Sequence, residues 1–505
     1  MIPERDHDRR DTPGAPSIGS ALLRVGLSLA LIFGGLSIGL GYWQVVEAQS
    51  LAADPGNPLV QAAVRAAPRG RILDRTGVSV ALDEGSGADR RRRYPYQAMA
   101  PVVGYKSLIF GAAGVERAYD AELTGLAPLG PGGDVLRKFL SDPYDPSDVH
   151  LTVDLRLQQA AMAALAGNRG AVVAIEPATG RVLAMASAPS FDPDVVADPT
   201  AGPDYVAGLR DDRDAPFLDR AGQGLYVPGS VFKIVTATAG LGSGAIRPET
   251  SYPSQPEEYR TGFRVEGFTI NDSERFVQLD HPLDLIEATE VSSNIYYAHA
   301  GLDIGAEAML DWSRRLGFGA PIEFDLATSA SQVTDGSGPL SGFTDRVELA
   351  NAAYGQGETL ATPLQMALVA ACVANDGQMM QPRLVRQLVS ESGDTLELQP
   401  AVLRQVIDPA GADIISRAMV AAVEGEFGQF FAGGARVPGV TTAGKSGSAQ
   451  VGDSARPHSW FIGFAPAEQP RIAIAVIVER AGFGSEVAVP LAGDLMELYL
   501  GLPEG

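Results

Sequence analysis

The most prominent hydrophobic pattern is one unbroken apolar stretch near the start of the chain. The stretch from Val25 to Trp43 carries no charged residue. At ~1.5 Å of helix rise per residue it is long enough to cross a bilayer core of ~30 Å. It exceeds an ordinary signal-peptide apolar region, and no clear cleavage site of small residues follows it closely. Because the stretch shows no amphipathic face, we predict a retained transmembrane signal anchor over residues 25–45 rather than a buried core helix.

Positive residues are distributed unequally around this predicted anchor. The first one after it is Arg65. Those before it are Arg5, Arg9, Arg10 and Arg24. Since Lys and Arg are enriched on the cytoplasmic side of membrane helices, the pattern predicts a cytoplasmic tail over residues 1–24. Everything after the anchor is then predicted to be extracytoplasmic.

Short strand-like segments follow the anchor. Residues 70–74 and 78–82 flank a turn that ends at Gly77, which predicts a β-hairpin. Residues 84–93 are charged and rich in glycine, so we predict a loop there. Turn-rich stretches just before residue 150 indicate a domain boundary. Residues 46–150 are therefore predicted to form a small β-containing module.

The pattern changes after residue 150. Helical spacing is found at 153–165, in several segments from 230 to 316, and at 489–500. Strand-like runs are found at 171–175, 181–186, 444–450, 460–464 and 472–478. Two strand-like runs near the beginning of this region and three near its end predict one five-stranded sheet flanked by helices. Residues 151–505 are thus predicted to be an α/β domain.

The composition of the chain excludes several classes of function and site. The formal net charge is −22, which argues against a general nucleic-acid binder. The one cysteine, Cys372, excludes an internal disulfide and a cysteine-based metal site, and its apolar surroundings predict a buried thiol. The five histidines show no metal-ligand spacing. We expect neither a metal nor a cofactor.

Lysine usage singles out two positions. Of 39 basic residues only four are lysine: Lys106, Lys138, Lys233 and Lys445. Burial and neighbouring groups can bring the pKa of a lysine within reach of catalysis, which they cannot do for arginine. Lys233 and Lys445 both lie in serine-containing motifs.

The first motif, residues 228–233, has the sequence PGSVFK. A Pro-Gly turn followed by an apolar run predicts that Ser230 begins a helix, with Lys233 three residues on and on the same face. A serine hydroxyl becomes a nucleophile when a nearby base takes its proton, and burial can prepare a lysine for that task. Taken alone, an ordinary helix-capping serine explains the pattern better.

Two further motifs contain serines. Residues 292–294 have the sequence SSN, in which a serine can relay a proton and an amide can bond both a lysine and a substrate peptide. Residues 444–448 have the sequence GKSGS on a predicted strand, where small residues allow another backbone to approach. Taken alone, each fits an ordinary cap or an edge strand protected by a lysine.

The three motifs together resemble the set found in penicillin-binding proteins and serine β-lactamases. The resemblance extends from about residue 43 to 500. Segments similar to the N-terminal module of class B penicillin-binding proteins are RGRILDRTG at 69–77, GVERAY at 114–119 and LTG at 123–125. Segments similar to the transpeptidase domain are YGQG at 354–357, TPLQ at 362–365 and HSWFIGF at 458–464.

This resemblance implies a penicillin-binding transpeptidase fold and a peptidoglycan D,D-transpeptidase in a bacterial plasma membrane. The substrate would be a stem peptide ending in D-Ala-D-Ala, which β-lactams mimic. Ser230 would be the nucleophile, Lys233 the base and Ser292 the proton relay. The implied substrate-binding residues are Asn294, Lys445, Ser446, Gly447 and Ser448.

The module at 46–150 resembles the pedestal or dimerisation module of short class B enzymes and has no glycosyltransferase signature. The expected partner is therefore a membrane-embedded glycan polymerase of the SEDS family. The chain departs from the family pattern at Ser293, where the motif has aspartate. It also departs at Ser446 and Ser448, which replace threonines and keep the hydroxyl groups. Asp219 stands where the family usually has asparagine, and its effect is open.

Other functions of the same fold stay open. The chain could be a D,D-carboxypeptidase or a β-lactamase, although no carboxylate dedicated to deacylation can be identified. It could also be a β-lactam sensor or a scaffold without turnover. A sensor would usually need a larger signalling region than residues 1–24. The pattern does not distinguish an elongation role from a division role.

Overall fold

A computed structural model describes residues 18–43, 68–125, 145–273, 279–450, 452 and 456–501. By its internal contacts the chain divides into two compact units, residues 1–67 with 86–89, and residues 68–85 with 90–505. Most of the predicted cytoplasmic tail and the beginning of the predicted module lie outside the described residues.

The predicted anchor is one apolar helix. Helix α1 spans Ile18–Gly41 and has 24 residues, and an 18-residue stretch of it has a mean hydropathy of 2.0, so it fits a single membrane span by length and composition. It begins before the predicted segment and includes Arg24.

The second unit contains helices of four to sixteen residues. They are α2 Ala100–Val103, α3 Gly114–Ala118, α4 Asp120–Thr124, α5 Leu155–Ala164, α6 Pro193–Ala197, α7 Gly202–Asp211, α8 Lys233–Ser243, α9 Gln255–Thr261, α10 Leu285–Glu290, α11 Asn294–Ile304, α12 Ala306–Arg315, α13 Arg346–Ala352, α14 Pro363–Ala374, α15 Pro409–Glu424, α16 Gln429–Ala432 and α17 Ala488–Leu500. Short 3₁₀ segments are found at Gln97–Met99, Gly229–Phe232, Gly433–Ala435 and Gly484–Glu486.

The strands are distributed over the same unit. They are β1 Ile72–Leu73, β2 Ser79–Glu84, β3 Arg91–Arg93, β4 Lys106–Ser107, β5 Gly111–Ala112, β6 Ser147–Leu151, β7 Gly170–Ile175, β8 Val182–Ala188, β9 Phe263–Val265, β10 Phe268–Ile270, β11 Gln378–Met380, β12 Val385–Ser390, β13 Thr395–Glu397, β14 Val402–Gln405, β15 Ala443–Ala449, β16 His458–Ala465 and β17 Ile472–Val478.

The central sheet is antiparallel and has five strands in the order β15-β16-β17-β7-β8. Because β17 pairs with β7, the last strands of the chain lie beside the first two strands of the domain. Alternate residues of β17 belong to two separate cores: Ala473 and Ala475 pack with residues of α14, and Ile474 and Val476 pack with residues of α17. The sheet is therefore covered on both faces, as an α/β layer arrangement requires. The predicted fold class is confirmed.

A second sheet shows an arrangement that local patterns did not predict. Its six strands run in the order β13-β12-β6-β1-β2-β3. The predicted hairpin forms the pair β1–β2, but β12 and β13 come from far along the chain and pair onto β6. The sheet thus joins residues on both sides of position 150.

The prediction of a loop over residues 84–93 is wrong at its end, because β3 pairs there with β2. The side chain of Arg92 is only 6% exposed, since it forms ion pairs with Asp83 at 3.1 Å and Glu116 at 2.6 Å. Charged residues favour loops only while their charges stay in water. Paired charges can occupy a buried strand.

Glu116 is the centre of this charged cluster. It is fully buried, and it also accepts a hydrogen bond from Arg69 Nε at 2.7 Å. Burial alone would raise the pKa of Glu116, but the guanidinium groups of Arg92 and Arg69 outweigh it and hold that pKa below its usual value. The cluster therefore ties together three segments that are separate along the chain, at Arg69, Arg92 and Glu116.

Replacing Glu116 with alanine would remove the fully buried carboxylate that two largely buried arginines share. Each arginine would keep one partner, Asp120 for Arg69 and Asp83 for Arg92. We expect Glu116→Ala to lower the free energy of unfolding by about 3–5 kcal/mol in urea denaturation. The control is Arg417→Ala, which breaks an ion pair with Asp413 whose side chains are 57% and 68% exposed. It should cost less than about 0.5 kcal/mol. Equal losses in the two variants would contradict this role of Glu116.

Candidate active site

The turn that carries Ser230 packs tightly against neighbouring backbone. Gly229 has a φ of 57° and begins a 3₁₀ segment that leads into α8. The Gly229 N–H donates to Gly355 O at 2.8 Å, and a Cβ on Gly355 would lie 2.0 Å from Gly229 O. This contact explains why the residue at position 355 is a glycine. Ser230 is half-buried at the end of the turn, whereas Lys233, on the first turn of α8, is fully buried.

Ser292 lies between α10 and α11 and meets the amine of Lys233. Its φ of 61° is in the left-handed region. Lys233 Nζ donates to Ser292 O at 2.7 Å and lies 3.3 Å from Ser292 Oγ. The same amine donates to Asn294 Oδ1 at 2.8 Å. Among the hydrogen bonds of the described residues, none joins Ser230 Oγ to Lys233 Nζ.

Lys445 reaches the same serine from the opposite side. Its Nζ donates to Ser292 Oγ at 2.8 Å and to Ser446 O at 3.1 Å. The Ser292 hydroxyl therefore lies between two buried amines, one on a helix and one on an outer strand of the central sheet.

Strand β15 also lies directly against the Ser230 turn. A Cβ on Gly447 would be 3.0 Å from Pro228 O, and a Cβ on Gly229 would be 3.1 Å from Ser448 O. The structure thus brings the three motifs together at one place.

Burial weakens the hold of both lysines on their protons. Lys233 is 0% exposed and Lys445 is 1% exposed. Burial, together with the nearby Lys445, lowers the pKa of Lys233 well below its usual value, while Asp272 opposes the change. Burial lowers the pKa of Lys445 to about 7. At neutral pH a neutral amine is therefore accessible in this site, which a surface lysine does not offer.

Comparison with known proteins agrees with this geometry. The family described as penicillin binding protein transpeptidase domain matches residues 170–497. The chain belongs to this family. Residues 69–130 match the family described as penicillin binding protein A dimerisation domain. The predicted membership among class B penicillin-binding proteins is confirmed.

Relatives match over most of the chain. The peptidoglycan D,D-transpeptidase PbpA of Mycolicibacterium smegmatis is 34% identical over 94% of this chain and 97% of its own length. The penicillin G acyl-enzyme of penicillin-binding protein A from M. tuberculosis superposes with a TM-score of 0.75 at 30% identity, covering 86% of this chain and all of that chain. Pseudomonas aeruginosa PBP2 in complex with WCK 5153 has a TM-score of 0.72 at 31% identity, covering 86% and 96%.

The two serines of the third motif, Ser446 and Ser448, lie on one face of β15. Lys445 and Gly447 lie on the opposite face, because successive residues of a strand alternate between its faces. Ser448 Oγ accepts a hydrogen bond from the Gly484 N–H at 3.0 Å. Ser446 is 8% exposed. Because β15 is an outer strand of its sheet, its edge is available to an extended peptide.

Motif reasoning missed two acidic residues that support the site. Asp272 accepts hydrogen bonds at the beginning of α11. Glu479 accepts from Arg220 Nε at 2.8 Å and from Tyr226 Oη at 3.0 Å, which ties the segment before Ser230 to the end of β17. Each is an acidic residue just after a strand, and that position is the only signal that could have found it.

Asp219, the departure from the family pattern, begins a tight turn. Its Oδ1 accepts the N–H groups of Ala221 at 3.1 Å and Gly222 at 3.2 Å. Asparagine could accept the same bonds. The difference is therefore the charge, and burial raises the pKa of Asp219 to about 6.

The close approach at Gly447 generates a test. An added Cβ would meet Pro228 O at 3.0 Å and both Val231 Cγ1 and Trp460 Cβ at 3.1 Å. We expect Gly447→Ala to push β15 away from the Ser230 turn and to slow reaction with a penicillin by ~10-fold or more. The measurement is the acylation rate with a fluorescent penicillin.

The matched control for this test is Gly208→Ala on α7, where nothing lies within 4 Å of the added Cβ. It should leave the acylation rate unchanged. A Gly447→Ala variant that is acylated as fast as the wild type would contradict the tight packing of β15 against the turn.

Proposed function

We propose that this chain is a peptidoglycan D,D-transpeptidase with Ser230 as its nucleophile. The observation that carries the proposal is the convergence of Lys233 and Lys445 on the hydroxyl of Ser292, next to the turn that bears Ser230. Such a site can remove a proton from one hydroxyl and deliver it to a leaving group. Family membership supports the same chemistry.

Acylation begins when neutral Lys233 takes the proton of Ser230 and Ser230 Oγ attacks the penultimate D-Ala carbonyl. The backbone N–H groups of Ser230 and Ser448 stabilise the oxyanion. As the C–N bond to the last D-Ala breaks, Ser292 passes a proton to the leaving amine. Lys233 replenishes that proton.

Substrate binding uses the remaining motif residues. The side chain of Asn294 holds Lys233 through its Oδ1 and can donate an amide N–H to the stem peptide. An extended peptide pairs with the outer edge of β15 across Lys445, Ser446, Gly447 and Ser448. Lys445 and the serine hydroxyls provide the field and donors for the terminal carboxylate.

The second half-reaction completes the cross-link. An amine from a neighbouring stem peptide attacks the ester carbon, a new C–N bond forms, and the C–O bond to Ser230 breaks. The amine loses a proton, and Ser230 regains one. No metal or cofactor is needed for either step.

The chain organisation suits this work at a membrane surface. We assign residues 1–24 to a cytoplasmic tail, 25–45 to the anchor, 46–150 to a pedestal module and 151–505 to the transpeptidase domain, with the catalytic domain extracytoplasmic. The apolar helix α1 supports the anchor. A SEDS-family polymerase supplies the glycan strands, since the module has no sequence signature for making them.

Intact-mass analysis of the full-length chain after benzylpenicillin treatment, followed over time, tests the proposal. We expect a lasting adduct that peptide mapping places on Ser230. Rapid loss of the adduct would indicate a β-lactamase, and a chain that never forms it would be a scaffold.

A second assay uses stem peptide as the substrate, and cross-linked product is expected. Release of D-Ala without cross-linking would indicate a carboxypeptidase, and an acylated chain without turnover a sensor.

The role of Lys233 gives a separate prediction. Lys233→Arg should lower the acylation rate by ~100-fold or more, because a guanidinium does not give up its proton at accessible pH. The control is Lys106→Arg, since Lys106 only pairs with Asp120 at 2.9 Å and arginine can replace it there. Near-normal acylation of Lys233→Arg would mean that Lys233 is not the base.

A further inference from the structure

We propose that Asp272 is a positioning residue of the reaction, which holds Asn294 in place and keeps a negative charge beside the two-lysine centre. The proposal rests on the proposed function of Ser230 and Lys233 and goes beyond the three motifs, to which Asp272 does not belong. Asp272 follows the short hairpin formed by β9 and β10.

Hydrogen bonds join Asp272 to the SSN motif at two points and to the next residue, Ile295, at a third. Its Oδ1 accepts the backbone N–H groups of Asn294 and, at 3.1 Å, Ile295. Its Oδ2 accepts the hydroxyl of Ser293 at 3.2 Å. One carboxylate therefore caps the first turn of α11, where the helix dipole favours a negative charge.

The cap also fixes the amide of Asn294. Asn294 Oδ1 accepts from Lys233 Nζ at 2.8 Å, and Asn294 Nδ2 donates to Asn271 O at 3.0 Å. The carbonyl of Asn271, next to Asp272, thus holds the amide nitrogen of Asn294. Lys233 holds the amide oxygen. Displacing Asp272 would move the acceptor that orients the base.

Charge gives Asp272 a second effect, which a neutral cap would lack. Lys233 and Lys445 are both buried, and the ionised carboxylate of Asp272 favours the protonated form of Lys233. Burial raises the pKa of Asp272, while Lys233 and the hydrogen bonds from Ile295, Asn294 and Ser293 act in the opposite direction. Among the described residues, Asp272 also interacts electrostatically with Tyr259 and Tyr354, which stay neutral near pH 7 because burial raises the pKa of each. Asp272 therefore contributes, against burial and Lys445, to how acidic the solution must be before Lys233 is protonated and stops acting as a base.

The sign of this effect can be worked out. Without the anion, protonated Lys233 loses a stabilising partner, so its pKa falls further. The neutral base then persists to lower pH. The acid limb of the acylation rate should move to lower pH by about one unit or more when the charge is removed, since an opposite charge nearby shifts a pKa by roughly that amount.

The test uses Asp272→Asn in the full-length chain. Asparagine keeps an oxygen for the N–H groups of Asn294 and Ile295 but carries no charge. The measurement is the rate of acylation by benzylpenicillin between about pH 5 and 9. We expect the acid limb of Asp272→Asn to lie at lower pH than that of the wild type. A limb that coincides with the wild type, even at a lower overall rate, would leave Asp272 only a structural cap and overturn the proposal.

Two controls separate charge from capping. Ser293→Ala removes one hydrogen bond to Asp272 but keeps the anion, so its acid limb should stay at the wild-type pH. Asp408→Asn changes a second capping aspartate, which accepts from the Gly411 N–H at the beginning of α15, and it should change neither rate nor limb. A shift in either control comparable to that of Asp272→Asn would also overturn the proposal.

The outcomes distinguish this inference from the proposed function. A wild-type chain that never forms a Ser230 adduct would refute the function itself. A wild-type chain with an adduct and an acid limb, together with an unmoved limb in Asp272→Asn, would refute only the role of Asp272. If thermal unfolding shows that Asp272→Asn does not fold, the acid limb is measured with Asp272→Glu instead. It retains the anion, so a slower reaction with an unmoved limb is expected, and a limb moved to lower pH would contradict the proposal.

Discussion

Two buried lysine side chains share one serine hydroxyl, and much of the catalytic domain is arranged to make this possible. Lys445 Nζ lies 2.8 Å and Lys233 Nζ 3.3 Å from Ser292 Oγ. Two ammonium groups at this spacing, out of water, would repel each other strongly. The arrangement is stable only if at least one amine loses its proton easily, and that same property makes a lysine a base. The repulsion between the two buried amines, which destabilises the fold, is therefore also what favours a neutral lysine that can act as a base.

The surrounding structure holds the three contributing segments at fixed distances. Trp460 Nε1 donates to Val227 O at 3.0 Å and so links the central sheet to the chain just before the Ser230 turn. Glycines at 355 and 447 allow backbone to approach that turn from two sides. The Arg220–Glu479 ion pair, with Arg220 only 3% exposed, ties the preceding loop to β17. Each contact limits the movement of the Ser230 turn relative to the lysines.

Local sequence patterns were sufficient to predict the central sheet, the apolar N-terminal helix and the three motifs. The strand-like apolar runs at 171–175, 181–186, 460–464 and 472–478 correspond to the fully buried strands β7, β8, β16 and β17. The rarity of lysine singled out Lys233 and Lys445. Long-range pairing was not readable in the same way. Strand β12 pairs with β6 across more than two hundred residues, and nothing local to either segment names the other.

Charged residues were the other source of error. Arg92 suggested a loop, since its partner Glu116 lies on a different segment. Asp272 belongs to no motif, and only its contacts with Asn294 and Ile295 give it a role. In both cases the meaning of the charge depends on a partner that the fold supplies.

The most direct test of the two-lysine centre is a pH titration of lysine side chains by NMR in the selectively labelled full-length chain. The chain has only four lysines, so the signals can be assigned one by one with lysine-to-arginine variants. We predict that the Lys445 signal titrates near pH 7 and that the Lys233 signal titrates well below the ordinary value of about 10.4. Titration of both Lys233 and Lys445 near 10.4 would show that both stay protonated at neutral pH, and it would contradict the account.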